Sequence, residues 1–166
     1  MGKLDRVRSK IFTWPDLKKR CAMWHLLGKK IVFTNGCFDI LHLGHIEYLS
    51  KAADLGSAMV IGINSDESVK KLKGDNRPIN SENARAMVLA SLSFIDAVVI
   101  FNEDTPYELI KSIQPDILLK GDDYKTENIA GHDTVLSKGG KVITIELTPG
   151  YSTTSILEKI IRLAKK

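Results

Sequence analysis

Five short apolar runs punctuate the chain beyond residue 30: IVFT (31–34), AMVIGIN (58–64), AVVIF (97–101), DILLK (116–120) and KVITIE (141–146). They are rich in Val and Ile and apolar at consecutive rather than alternate positions, the pattern of strands covered on both faces. Between them the spacing predicts helices over His45–Leu55, Ser81–Leu92 and Pro106–Ile113, while 125–138 shows only short turns. A last helix is predicted from Ser152 to Ala164, with Ile156, Ile160, Ile161 and Leu163 as its apolar side. Ahead of the first strand, Thr13 can cap a helix that has Trp14 and Pro15 in its first turn and ends near Leu26, before Gly28. Phe12, Trp14, Leu17 and Trp24 are expected to pack this segment onto the body. Strands alternating with helices imply an α/β fold: a doubly wound, five-stranded parallel sheet in an α/β/α sandwich. The domain is expected over 29–166, with 1–28 as a basic helical extension packed against it.

Composition agrees with a globular domain. At 166 residues, 43% hydrophobic and 27% charged, the chain can bury a substantial core. No apolar run reaches the ~18 residues of a bilayer span, and MGKLDRVRSK lacks the apolar stretch of a secretory signal. A cytoplasmic location without membrane contact is therefore expected. The net charge of +4 changes the picture less than its distribution does. Residues 1–30 carry nine Lys/Arg against two Asp/Glu, leaving fifteen against eighteen in the rest. The body is slightly acidic, which argues against nucleic acid as a partner. Cys21 and Cys37 fit no zinc or redox spacing and read as reduced, packed thiols.

Parallel sheets of this kind bind ligands beyond the carboxyl ends of their strands. Four polar stretches fall there. TNGCFDILHLGH follows the first of the five strands: Gly36 permits close approach of a ligand, Gly44 lets a helix start against the sheet, and His42 and His45 share a face at that helix's N-terminus. That end suits a phosphate and favours neutral imidazoles. Asp39, three residues ahead of His42, suits metal binding or substrate orientation; a zinc triad with the histidines lacks a further ligand. NSDESVKKLKGDNRPIN places Asp66 just past the second strand, then Lys70, Lys71, Lys73 and Arg77 on a glycine-containing loop, as a polyphosphate carrying Mg²⁺ would require. In LLKGDDY, Gly121, Asp122, Asp123 and Tyr124 suit a base or ribose. In TPGYSTTSI, Ser152, Thr153 and Thr154 open the last helix with more hydroxyls than a cap needs. Each stretch alone has a bland reading as a core histidine, a solvated basic loop, an acidic turn or a cap. Their concentration on one sheet edge favours a phosphate-handling site.

CFDILHLGH resembles the HxGH signature of the nucleotidyltransferase superfamily, and the likeness continues through the other three stretches over roughly residues 28–160. It is greatest to the adenylyltransferase domain of heptose-phosphate enzymes used in ADP-heptose synthesis, often fused to a sugar kinase for which this chain is too short. The resemblance implies a Rossmann-like nucleotidylyltransferase fold, a homodimer, and AMP transfer from Mg²⁺-bound ATP to a sugar 1-phosphate with release of pyrophosphate. It implies that His42 and His45 stabilise the triphosphate in the transition state. Lys71 and Lys73 would close over the phosphates, Ser152, Thr153 and Thr154 would hold the β/γ end, and Asp39 would orient the acceptor or the metal. It further implies Asp66 near the metal and Arg85 tying the site together, with Asn35, Gly36, Phe38, Gly44, Arg77, Gly121, Asp122 and Tyr124 against the nucleotide. Glycerol-3-phosphate cytidylyltransferases share the HxGH, GDD and STT motifs, but carry Arg and Glu where this chain has Leu147 and Pro149. A CTP-using relative of that kind and a nucleotide-binding protein without turnover are the competing readings. Class I aminoacyl-tRNA synthetases need a longer chain.

Overall fold

The computed structural model describes residues 1–165. Its elements are α1 (Lys3–Arg8), β1 (Ile11–Phe12), α2 (Trp14–Leu26), β2 (Ile31–Gly36), α3 (Leu43–Ala53), β3 (Ala58–Asn64), α4 (Asp66–Lys73), α5 (Glu82–Ala90), β4 (Ala97–Phe101), α6 (Tyr107–Ile113), β5 (Ile117–Gly121), a 3₁₀ turn (Thr126–Asn128), α7 (His132–Leu136), β6 (Lys141–Ile145) and α8 (Thr153–Ala164). All strand pairings are parallel, in the order β1-β4-β3-β2-β5-β6. The five apolar runs became β2 to β6, as their composition requires. The sixth strand is the correction: Ile11 and Phe12 pair with Val98 and Val99, so the N-terminal extension belongs to the sheet. The capped helix runs Trp14–Leu26, with the Thr13 hydroxyl accepting from the Asp16 N–H. Leu17, Cys21 and Trp24 are buried in the core and Phe12 and Trp14 pack against it, each buried apolar side chain contributing about 1.5–3 kcal/mol. Burial also pushes the Cys21 thiol up to about 12, which keeps it an inert packing group.

Alternation along the strands divides the core into two layers. Ile31, Phe33 and Leu118 face α2, α6 and α7, in a cluster with Leu17, Leu109 and Val135. Val32, Ile117 and Leu119 face the other way, toward α3 and α5, with Leu49, Leu89 and Ile95. From β2 the order runs through β3 and β4 on one side and through β5 and β6 on the other. The chain's direction across the sheet reverses between β2 and β5, and a crevice opens beyond their ends.

Two further differences follow from local chemistry. The stretch expected as a loop of cations is largely the helix α4, because the Ser65 hydroxyl caps it by accepting from the Ser68 N–H and Val69 anchors it in the interior. At the other end of the chain α8 forms where expected, yet it buries no residue completely; Ile160, Ile161 and Leu163 are all more than half exposed. Among the described residues, no helix is long and apolar enough to cross a membrane.

Candidate active site

One cavity of about 690 Å³ lies over the β2–β5 crevice. Its lining draws on all four polar stretches: Asn35 to Asp39, His42, Gly44 and His45 from the first; Lys73 and Arg77 from the second; Gly121, Asp123 and Tyr124 from the third; and Ser152 to Thr154 from the last.

The histidines form its firmest feature. His42 is the N-cap of α3 and His45 lies in the first turn, so the rings stack 3.8 Å apart at 22°. Phe38, whose backbone occupies the left-handed region at φ 46°, packs its ring 5.2 Å from His45. Burial lowers the pKa of both imidazoles, and the neighbouring His42 helps bring His45 down to about 4. Both rings are therefore neutral near pH 7, and each holds one N–H donor and one bare nitrogen. The Nδ1 atoms of both, and Oδ1 of Asn35, are buried without a hydrogen-bond partner. Gly44 makes the stacked arrangement possible: a Cβ there would stand 3.2 Å from the His42 ring and 3.3 Å from Tyr151 Cβ.

The start of α8 closes the same side. Ser152 caps it through the Ser155 N–H, and Thr153 donates to the Ile40 carbonyl at 3.5 Å. Thr148 is tied to Glu47 of α3. The free N–H groups and hydroxyls of this helix end thus face the cavity that holds the imidazoles.

Asp39 occupies a different environment. Its carboxylate accepts from Arg77 Nε at 2.7 Å, from the Ile79 N–H at 2.8 Å and from the Asn80 N–H at 2.9 Å. Burial by itself would raise its pKa, but these donors outweigh that and hold it below the ordinary carboxylate range. Arg85 is more deeply enclosed. Its guanidinium donates to the carbonyls of Asn80, Cys37 and Asn64 and to Asp66 Oδ1. It joins the segments after β2 and β3 to the loop before α5.

Four expected site residues do not line the cavity: Lys71, Asp66, Arg85 and Asp122. Lys71 lies on the solvated side of α4, paired with Glu67 one turn back. Asp66 is paired with Arg85 while its side chain stays 41% exposed. Asp122 accepts from the Leu147 N–H, and Asp123 takes its place at the cavity. Among the described residues no cluster of three His, Cys, Asp or Glu is arranged to hold a metal ion.

The cavity also has lining that the sequence analysis passed over. Asp104, Thr105 and Pro106 come from the loop after β4, where no polar motif was singled out. Asn128 to Ala130, Tyr48 and Leu72 line it as well. Lys120 is the most informative omission: it follows three apolar residues one place before the end of β5, half-buried, with Nζ 2.9 Å from the Asn35 carbonyl and 5.0 Å from the centre of the Tyr124 ring. A lysine closing a buried run such as ILLK is costly unless it meets a carbonyl or an anion, and that was the available signal.

Comparison with known proteins adds to this geometry. The family model described as cytidylyltransferase-like matches residues 33–159. The chain belongs to the cytidylyltransferase-like family. It is 50% identical over 151 residues to a protein named bifunctional protein HldE from Magnetococcus marinus, covering 91% of this chain and 31% of that one. It is 57% identical over 134 residues to the protein of the same name from Syntrophotalea carbinolica, covering 81% and 27%. The chain thus spans about a third of the length of these curated relatives. A lipopolysaccharide core biosynthesis protein from Thermoplasma volcanium superposes with a TM-score of 0.60 at 28% identity, covering 73% of this chain and 98% of that one. The family assignment agrees with the resemblance drawn from the motifs, and the six-stranded parallel sheet agrees with the Rossmann-like fold it implied.

Proposed function

We propose that this cytidylyltransferase-like chain is an adenylyltransferase that transfers AMP from ATP to a sugar 1-phosphate, D-glycero-β-D-manno-heptose 1-phosphate, forming ADP-heptose and pyrophosphate. The observation that carries the reading is the convergence of two neutral stacked imidazoles, Lys73 and the hydroxyl-rich start of α8 on one cavity. The identity of about half the residues to the HldE proteins supports the choice of sugar.

A phosphate oxygen of the sugar 1-phosphate attacks the α-phosphorus of ATP. The new P–O bond forms as the bond from the α-phosphorus to the bridging oxygen breaks, and pyrophosphate leaves with that electron pair. No group on the enzyme needs to become bonded to the substrate. Neutral imidazoles donate to the triphosphate without adding a proton to the balance, Lys73 offsets the charge that grows on the leaving group, and the α8 N-terminus receives the β- and γ-phosphates. Mg²⁺ would come as part of the ATP substrate and would offset charge on its phosphates. Asp39 and Asp66 are engaged by Arg77 and Arg85, which fits an ion brought in by substrate better than one caged by protein. Asp39 and Arg85 act in this scheme as positioning residues.

A dimer fits the exposed apolar side of α8, since the extension's own aromatic residues are spent on the core. Light scattering in solution tests it: a monomer at micromolar concentration rejects the dimer. A cytoplasmic site of action accords with nucleotide-sugar synthesis. Incubating the protein with ATP or CTP against heptose 1-phosphate, glycerol 3-phosphate and other small phosphates, and measuring pyrophosphate, tests the reaction. Turnover with CTP and glycerol 3-phosphate but not with ATP would replace this proposal with the cytidylyltransferase reading. Nucleotide binding with no pyrophosphate from any acceptor would leave a binding protein only.

A further inference from the structure

The cavity straddles the end of the sheet, and its two sides are chemically distinct. His42 and His45 and the start of α8 lie on the side of α3, the layer of Val32 and Leu119. Asn35 and Lys120 do not. Each follows its strand's alternation two residues beyond Phe33 and Leu118, which face α2, α6 and α7. Each stands one residue before the end of its strand, and the strands are adjacent, since Phe33 pairs with Leu118 and Thr34 with Leu119. The Lys120 ammonium reaches across the pair to the Asn35 carbonyl. That is its one hydrogen bond among the described residues, so it spends one of three donors. Beside it, Oδ1 of Asn35 is buried without a partner. A cation with spare donors and an orphaned acceptor thus share the cavity floor on the side away from the histidines.

In-line displacement uses that division. The entering and leaving oxygens lie on opposite sides of the α-phosphorus. With the pyrophosphate held by the histidines and α8, the attacking phosphate must approach from the α6–α7 side. Two phosphorylated reactants bring several negative charges together there. Of the three Lys and Arg side chains in the lining, Arg77 is already paired with Asp39, leaving Lys73 and Lys120. Burial raises the pKa of the Cys37 thiol in the same lining, although Lys73, Arg85, Lys120 and Arg77 all pull it the other way.

Resting on the adenylyltransferase reading above, we propose that Lys120 and Asn35 form the acceptor subsite: the Lys120 ammonium binds the phosphate of the sugar 1-phosphate, and the Asn35 side-chain oxygen accepts from a sugar hydroxyl. Burial pulls the Lys120 pKa down while Asp123 holds it up, and a bound phosphate would add to the support from Asp123. The Asn35 amide is thereby assigned to the acceptor rather than to the nucleotide.

The test separates the two substrates. Pyrophosphate release is measured for the wild type, Lys120→Met, Lys120→Arg and Asn35→Ala, varying ATP and heptose 1-phosphate in turn, while calorimetry reads binding of a non-hydrolysable ATP analogue. Lys120→Met is expected to raise KM for the sugar phosphate about tenfold to a hundredfold, the scale of a lost charged hydrogen bond, with the analogue's Kd within about twofold. Lys120→Arg should recover part of that loss, and Asn35→Ala should raise the same KM about fivefold. An unchanged sugar-phosphate KM, or an analogue Kd that rises in step with it, overturns the proposal. If Lys120→Met does not fold, Asn35→Ala decides by the same criteria, because it keeps the main-chain carbonyl that Lys120 holds. If the wild type releases no pyrophosphate with heptose 1-phosphate, the sugar assignment fails separately. The subsite is then read by titrating mannose 1-phosphate, glycerol 3-phosphate and inorganic phosphate into analogue-saturated protein. Binding that Lys120→Met abolishes supports it, whereas binding by neither protein or equally by both overturns it.

Discussion

Two polar regions flank the mouth of the same cavity, and their hydrogen bonding differs in kind. Around Asp39 and Arg85 each charged group has its partners: Asp39 is held by Arg77 and two main-chain N–H groups, and Arg85 spends its donors on three carbonyls and Asp66. Inside the cavity the accounting is left open, with Nδ1 of His42 and Nδ1 of His45 on the α3 side and Oδ1 of Asn35 on the other all buried and, among the described residues, unpartnered. A protein that leaves buried polar atoms unmet sacrifices stability there, and a ligand that meets them recovers it. Under the proposed function the satisfied region is scaffold, and the unsatisfied one is where substrate would complete the structure.

That contrast can be broken by mutation. Arg85→Met should have the largest effect on stability, about 3–5 kcal/mol in denaturant unfolding, since it strands buried carbonyls and a carboxylate; a loss below 1 kcal/mol would make Arg85 dispensable as scaffold. His45→Ala should do the reverse, lowering turnover about 10²–10³-fold at nearly constant melting temperature, the scale of one lost charge-stabilising donor. Near-normal turnover would remove His45 from the chemistry. Next in size, Lys73→Ala should raise KM for ATP about tenfold, whereas Lys71→Ala should stay within about twofold because that side chain is paired with Glu67 outside the cavity. Equal effects at the two positions would return Lys71 to the site.

The pH dependence sharpens the same comparison, and the two regions respond in separate windows. His45 has a folded pKa of about 4 against an ordinary value of 6.5, so the unfolded chain binds more protons between them. Its contribution is fully present above 6.5 and is lost as pH falls toward 4. Asp39 is also depressed, from an ordinary 3.8, so its contribution is present above that value and lost only as pH drops further. Unfolding curves should therefore show a first decline, shared with His42, that His45→Gln reduces, and a second, more acidic one that Asp39→Asn reduces. A single decline unaffected by His45→Gln would contradict the depressed histidine.

The layout of the sheet was readable because β2 to β5 are continuous apolar runs, a signal that survives without tertiary context. β1 was not, since two residues carry no period and Ile11 and Phe12 become a strand only by lying against Val98 and Val99. α4 was hidden by its charges: five of its eight residues are charged, and its helicity rests on Ser65 as cap and Val69 as a single anchor. Within the site, HxGH announced itself because spacing alone stacks the rings. Asp39 and Asp66 were legible as carboxylates at strand ends, but whether they meet a metal or an arginine depends on partners distant in sequence, Arg77 and Arg85. Lys120 was not legible as a site residue, because a lysine late in an apolar run is ordinarily solvated and only the fold brings its ammonium to the Asn35 carbonyl.

The short first strand has a consequence for handling the protein. By pairing with β4 it occupies what would otherwise be an open border of main-chain donors and acceptors, with the Lys10 carbonyl taking the Val98 N–H as well. Trimming the chain to begin at its second strand would bare that border and uncover the apolar layer beneath Leu17 and Trp24. Such a fragment would recruit neighbouring copies through edge-to-edge pairing and precipitate.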